Sequence, residues 1–136
     1  MPLTDFYTHA GATTAEDRQK ISDAIQTAMK EVLGILDDDR LHFFHEFSAG
    51  EVFHEDVIFG LPRADRLLMV MFSLNERTAE VKNALYESAV KHLEAVAGWQ
   101  RDEVMFRVIE TASENWWADG RVVDPNTGYD ERMTNA

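Results

Sequence analysis

The chain has 136 residues, 45% of them hydrophobic, enough for one domain with a sizeable core. Its 25 acidic against 13 basic residues give a formal charge of −12, which argues against nucleic acid or an anionic membrane as partner but leaves room for small anions held by local arginines. There is no cysteine, hence no disulfide, thiolate metal site or cysteine nucleophile; with no charged-then-apolar leader and no long apolar run, the chain reads as a soluble cytoplasmic protein.

The chain opens Met1-Pro2-Leu3. Met aminopeptidases remove an initiator Met that precedes a small residue such as Pro, so the mature chain is expected to begin with a free prolyl amine. That amine is secondary, a good nucleophile, and titrates lower than a lysine. Next to a cation or in apolar surroundings its pKa falls into the range of a general base. Leu3 to His9 reads as the first strand, and Gly11 breaks it. Thr13 with Glu16 and Thr14 with Asp17 both fit a helix N-cap. A helix follows to about Leu33, with Ile21, Ala24, Ile25, Ala28, Met29 and Val32 at helical spacing and Gly34 as its stop.

Asp37-Asp38-Asp39-Arg40 is a charged turn, and Leu41 to Phe47 a second strand with Leu41, Phe43 and Phe47 on one side. Ser48 to Asp65 is irregular, with room for a short strand at 52–59. Arg66 to Leu74 is the third strand; its run Leu67-Leu68-Met69-Val70-Met71-Phe72 has no polar alternation, which predicts burial on both faces. Thr78 opens a second helix with Val81, Leu85, Ala89, Leu93 and Val96 as its apolar face, and Gly98 ends it. Val104 to Thr111 is the fourth strand, alternating Val104, Phe106 and Val108 against Met105, Arg107 and Ile109. After Gly120 the chain is polar, a tail expected to lie over a surface or fray.

The two halves repeat at an offset of 64: Thr14-Ala15-Glu16 recurs as Thr78-Ala79-Glu80, Val32 as Val96 and Gly34 as Gly98. The expected fold is therefore α/β (α+β): two tandem β-α-β units at about 2–49 and 66–112, each with a right-handed parallel crossover. They join into one four-stranded mixed sheet with both helices on one face, in a domain spanning 1–120, before a C-terminal tail at 121–136. The other face of the sheet needs cover, and oligomerisation supplies it. The position matching Pro2 in the second half lies near Arg66, inside the chain, so amine chemistry arises once per pair of units.

His42, His45 and His54 stand among Glu46, Glu51 and Glu55, but His42 and His45 are three apart on a strand and point to opposite faces. No His-Glu-x-x-His spacing is present, so no metal site is expected. Arg77, just before a helix N-terminus and beside Asn75 and Thr78, is placed to hold a carboxylate with its fork of donors and the free backbone N–H groups.

Taken together, several segments carry a resemblance. They are Pro2; Asp39-Arg40 before the second strand; His45-Glu46 within it; Gly60-Leu61-Pro62-Arg63-Ala64-Asp65; Leu74-Asn75-Glu76-Arg77-Thr78 leading to Lys82; Ala84-Leu85-Tyr86; and Glu114-Asn115-Trp116. In their order and spacing the chain resembles the tautomerase superfamily over roughly Pro2 to Gly120, in particular its malonate semialdehyde decarboxylase branch and related bacterial tautomerases. The resemblance implies a 4-oxalocrotonate tautomerase-like fold and a homotrimer with the sheets facing inward. It also implies cofactor-free chemistry on small carboxylate-bearing oxo-acids at sites centred on the terminal prolines. Carried over by position, Pro2 is the catalytic amine, Asp39 the aspartate that activates water or sets the amine's protonation, and Arg77 a substrate-binding arginine. Asn75 stands near the place of a second arginine, Trp116 belongs to the site wall, and His45 is a candidate for the pocket or for the trimer interface. Asp38 takes the aspartate's role if the alignment slips by one. The chain departs from the pattern at Asn75 and at Trp116-Trp117-Ala118-Asp119-Gly120, where the family tends to run Trp-Ser-Phe-Gly. The expected activity is tautomerisation of enolisable oxo-acids with a depressed prolyl pKa. The alternatives are decarboxylation or hydration of a 3-oxo acid with a cationic Pro2, and a trimer that has lost the chemistry.

Overall fold

A computed structural model describes residues 2–63, 66–122, 124 and 126. Helix α1 spans Ala15–Leu33. Of its two candidate caps the chain uses Thr14: its Oγ1 accepts from Asp17 N–H at 3.1 Å, and Asp17 Oδ2 accepts from Thr14 N–H at 2.9 Å. This reciprocal box satisfies two otherwise open donors. Ile21, Ala24, Ile25, Ala28 and Met29 are buried along one stripe, and Gly34 ends the helix at φ 66°. Helix α2 spans Ala79–Ala97 behind the N-cap Thr78 and ends at Gly98, φ 68°. Its buried stripe runs through Leu85, Ala89, Val90 and Leu93 but not to Val96, which is 49% exposed. The chain reverses at Gly98 and folds Trp99, 1% exposed, into the core instead, with Trp99 N–H donating to Leu93 O.

Four strands form the main sheet: β1 Leu3–His9, β2 His42–Phe47, β5 Leu68–Leu74 and β6 Val104–Glu110, in the order β2-β1-β5-β6. β1 runs parallel to β2 and β5 parallel to β6, while β1 and β5 meet antiparallel in the centre. Each parallel pair is closed by its own helix, as β-α-β units require. The duplication extends to side chains. Arg18 pairs with Glu46 in the first unit, and Lys82 with Glu110, each 64 residues on, in the second.

Phe6, Leu68, Val70 and Phe72 point to the helices and are fully buried. The opposite residues of β5, Met69 and Met71, are only half-buried. Burial of this strand on both faces is thus not reached among the described residues: both helices lie on one side, and Met69 and Met71 on the other stay half-buried.

Two short hairpins complete the units. β3 Val57–Ile58 pairs with β4 Leu61–Pro62 around Phe59 (φ 53°) and Gly60 (φ 75°); β7 Trp117–Ala118 pairs with β8 Arg121–Val122 around Asp119 (φ 52°) and Gly120 (φ 77°). Two central residues with positive φ are the signature of the tight turn whose twist suits a hairpin. The segment read as irregular therefore holds a hairpin, whose first strand Val57–Ile58 falls within the 52–59 expected for a short strand and whose second, Leu61–Pro62, lies beyond it. The second hairpin crosses the expected domain end at residue 120. Most of the tail at 121–136 lies outside the described residues, as do Met1, Ala64 and Asp65. No helix among the described residues is long and apolar enough to cross a membrane.

Candidate active site

The strand register gathers most of the candidate residues at one end of the sheet. Leu3 of β1 lies opposite Ser73 of β5, which places Pro2 beside the Leu74-Asn75 turn. Thr4 N–H donates to Leu41 O at 3.0 Å, which brings the Asp37–Leu41 loop to the same end. Thr111 N–H donates to Leu74 O at 2.9 Å, which brings the segment from Thr111 to Trp116 in from the other side. Pro2, Asp39, Asn75, Arg77 and Trp116 thus belong to segments at the one end of the sheet where β1 begins, β5 ends and α2 starts.

Pro2 is buried, and Asp39 is 4% exposed, an unusual place for a carboxylate. Its loop is clamped: Asp39 N–H donates to Leu36 O at 3.1 Å, and the buried Gln26 donates from Nε2 to Asp39 O at 3.2 Å. Asn75 and Trp116 are both held by Ser113, a buried residue that carries no mark in the sequence. Asn75 Nδ2 donates to Ser113 Oγ at 3.0 Å, and Trp116 N–H donates to Ser113 O at 3.1 Å. What remains is unsatisfied: Asn75 Oδ1 and Trp116 Nε1 are both buried without a hydrogen-bond partner among the described residues. Each such group costs roughly 1–3 kcal/mol, and here a buried acceptor and a buried donor are left open on two segments joined through Ser113.

Arg77 Nη1 donates to Asn75 O at 3.1 Å and to Glu76 O at 3.0 Å, which folds the guanidinium over the turn. Among the described residues no carboxylate pairs with it, although acids outnumber bases nearly two to one. The N-cap Thr78 satisfies Val81 N–H at 3.2 Å, but α2 lacks the reciprocal box of α1. The guanidinium and the helix N-terminus thus stand side by side, both of which favour negative charge.

His45 lies apart from this group. Opposite Tyr7 in the β1–β2 register, it sits part-way along the sheet on the face away from the helices. Its Nε2 meets Asp5 Oδ1 at 2.8 Å, and its ring stacks on Tyr7 at 4.6 Å. The pocket role expected for it does not fit that place: the strand carries it three residues past the start of β2, away from the Pro2 end. The other histidines have separate partners. His42 turns toward the helices and meets Ser22 Oγ at 2.7 Å, and His54 meets His9 at 3.1 Å. Burial is the main cause that pushes the His42 pKa down to about 4, with the nearby Arg40 cation adding to it and Asp23 opposing. Among the described residues no group of three or more His, Asp or Glu converges as a metal site would need.

A family model described as "Tautomerase enzyme" matches residues 39–117, and a second of the same description matches residues 2–61. The chain belongs to the tautomerase family. Probable tautomerase YusQ of Bacillus subtilis (strain 168) is 26% identical over 123 residues, covering 89% of this chain and 96% of the relative. Among solved structures, a malonate semialdehyde decarboxylase superposes with a TM-score of 0.78 at 25% identity, over 88% of this chain and 91% of that one. A fused 4-OT described as a symmetric trimer shares the fold, with a TM-score of 0.67 at 18% identity over 88% and 94% of the two chains. Within the family, this tautomerase falls in the branch that resembles the decarboxylase.

Proposed function

We propose that the protein is a cofactor-independent tautomerase or isomerase of small enolisable oxo-acids, working in the cytoplasm through the amine of Pro2. The observation that supports this best is the convergence of Pro2, Asp39, Asn75, Arg77 and Trp116 on one end of the sheet. Once Met1 is removed, Pro2 carries a secondary amine in buried surroundings. Arg77 and the first N–H groups of α2 take the substrate carboxylate. The neutral amine accepts the enol O–H proton and returns it to the adjacent carbon, so the enol becomes the keto acid and the amine is regenerated. Asn75 and Trp116 meet polar atoms of the substrate, and the ring of Trp116 forms the wall. We infer a homotrimer in which the uncovered sheet face turns inward, a reading supported by the trimeric neighbours.

Burial of Asp39 at the same end favours a second reading, decarboxylation or hydration of a 3-oxo acid. There the aspartate activates water while Pro2 stays protonated. Ketonisation of phenylenolpyruvate and decarboxylation of malonate semialdehyde, assayed side by side on untagged Met-free protein and on Pro2→Ala, separate the two. Activity on the enol alone, lost in Pro2→Ala, is the expected result. An intact mass that retains Met1 in protein made without a tag leaves no free amine and favours a trimer that has lost the chemistry.

A further inference from the structure

The tip of the first hairpin is hard to explain within one chain. Phe59 occupies the left-handed region at φ 53°, a conformation disfavoured for a bulky residue, and its side chain is 87% exposed. The matching turn of the second hairpin holds Asp119 at φ 52°, a residue type that tolerates this region. Phe53, 88% exposed, and Val57, 57% exposed, extend the apolar surface of the arm, with Glu51, Glu55 and Asp56 interspersed. Backbone strain and exposure are both incurred here, and among the described residues Phe59 stays 87% exposed.

The uncovered sheet face carries a hole of matching character. A cavity of about 350 Å³ lies between Tyr7, His9, Phe47, Leu67, Met69 and Arg107. Its floor is apolar, and Arg107 pairs with no carboxylate among the described residues. Val52 at the base of the arm lines this hole, and His54 meets His9 on its rim at 3.1 Å. Phe59 at the tip is not among the residues that line it, so the exposed aromatic of an acidic arm and an apolar hole with an unpaired cation are complementary without meeting in one chain. Such a pair makes a heterologous contact, which closes into a ring when the rotation allows.

We propose that the arm docks on a second copy of the chain, with Phe59 seated in the cavity beside Arg107 and the arm's acids facing that guanidinium. This rests on the trimeric reading above and assigns the residues that hold the ring together. The test is sedimentation velocity across a dilution series for the wild type, Phe59→Asn and Arg107→Glu, with circular dichroism to confirm folding. Asn suits the left-handed turn, so Phe59→Asn is expected to keep or raise the melting temperature of the isolated chain. It should still move the trimer–monomer midpoint to at least about tenfold higher protein concentration, as loss of a buried aromatic anchor does. Arg107→Glu is expected to shift the midpoint the same way, and more at low salt. A wild-type trimer whose midpoint is unmoved in Phe59→Asn overturns the docking proposal and leaves the trimer intact. A wild type that is monomeric throughout overturns both.

Discussion

Arg66 Nε donates to Glu103 Oε2 across 3.1 Å, and this pair stands in the second half of the chain where Pro2 and Asp39 stand in the first. Both correspondences hold at the 64-residue offset. Thr4 and Leu68 open the equivalent parallel ladders two residues after Pro2 and Arg66. Asp39 N–H and Glu103 N–H close the same turn, onto Leu36 O and Gln100 O. In the second unit the cation is a guanidinium, permanently charged, stacked 4.1 Å over the Trp99 ring and bonded to Gly98 O. It is a structural ion pair. In the first unit the matching positions hold the buried Pro2, which removal of Met1 would turn into a titratable amine, and the buried Asp39. On the proposed reading, duplication leaves amine chemistry to one end of each chain and an ion pair at the other.

Stability is expected to fall between pH 6.5 and 4 because of His42. Its pKa lies at about 4 in the folded chain, below the ordinary histidine value, so the unfolded chain binds a proton that the folded chain refuses. The sign follows: the contribution is fully present above about 6.5 and is lost as pH falls toward 4. A shift of this size amounts to roughly 2–3 kcal/mol, and partial exposure of the ring reduces it. Urea unfolding at pH 7, 5.5 and 4.5 checks this. His42→Asn should flatten the slope across that window.

Arg77→Ala should lower kcat/KM for an oxo-acid by about 10–100-fold, the worth of one charge-assisted contact, with the fold unchanged. Arg77→Lys should recover only part, since an ammonium lacks the bidentate fork. Steady-state kinetics with a carboxylate substrate and with its methyl ester are the measurement: the ester should be insensitive to both substitutions.

Much of this was legible in the sequence because the helices announce their own ends. Gly34, Thr78 and Gly98 mark three helix ends, Thr14 was one of two candidates for the fourth, and the offset between them exposes the duplication. Pro2 and Arg77 stood out because their chemistry is local: a terminal amine, and an arginine before a helix. What stayed hidden depends on pairing. The hairpin at Phe59 was obscured because an aromatic occupies a position where Asn, Asp or Gly is the usual signal. The Asp119-Gly120 pair did carry that signal, within a segment that otherwise reads as polar tail. His45 was drawn toward the site by a motif, and the β1–β2 register moved it away. Ser113, which holds Asn75 and Trp116 together, has no sequence mark at all.

Trp116→Phe separates a functional indole from a structural one. The substitution keeps an aromatic ring and removes a buried N–H that has no partner among the described residues. Stability should therefore stay level or rise by up to about 1 kcal/mol, since no hydrogen bond is lost. If the N–H meets substrate, kcat/KM should still fall about tenfold, one hydrogen bond's worth. Thermal melts and kinetics on one preparation read both. A fall in stability with no fall in activity would assign the indole to packing.

The decisive measurement concerns the amine of Pro2. A free α-amine titrates at roughly 7.7–8.0 in reference peptides, and a prolyl amine starts somewhat higher. Two features of the site pull this down: burial of Pro2, which disfavours the ammonium, and the Arg77 cation at the same end of the sheet. One pushes it up: Asp39 in the place from which, in the second unit, Glu103 holds a cation. For proton shuttling near pH 7 the neutral amine must be well populated, and the expected midpoint lies at or below about 8. Nitrogen-15 NMR of the Met-free protein, titrated from pH 5 to 10, gives the value. Asp39→Asn removes the opposing charge and should lower the midpoint by about one unit or more, the size of effect that a neighbouring opposite charge exerts. A wild-type midpoint well above 8 that drops in Asp39→Asn would instead assign Pro2 the role of a resident cation. The decarboxylase reading would then take first place.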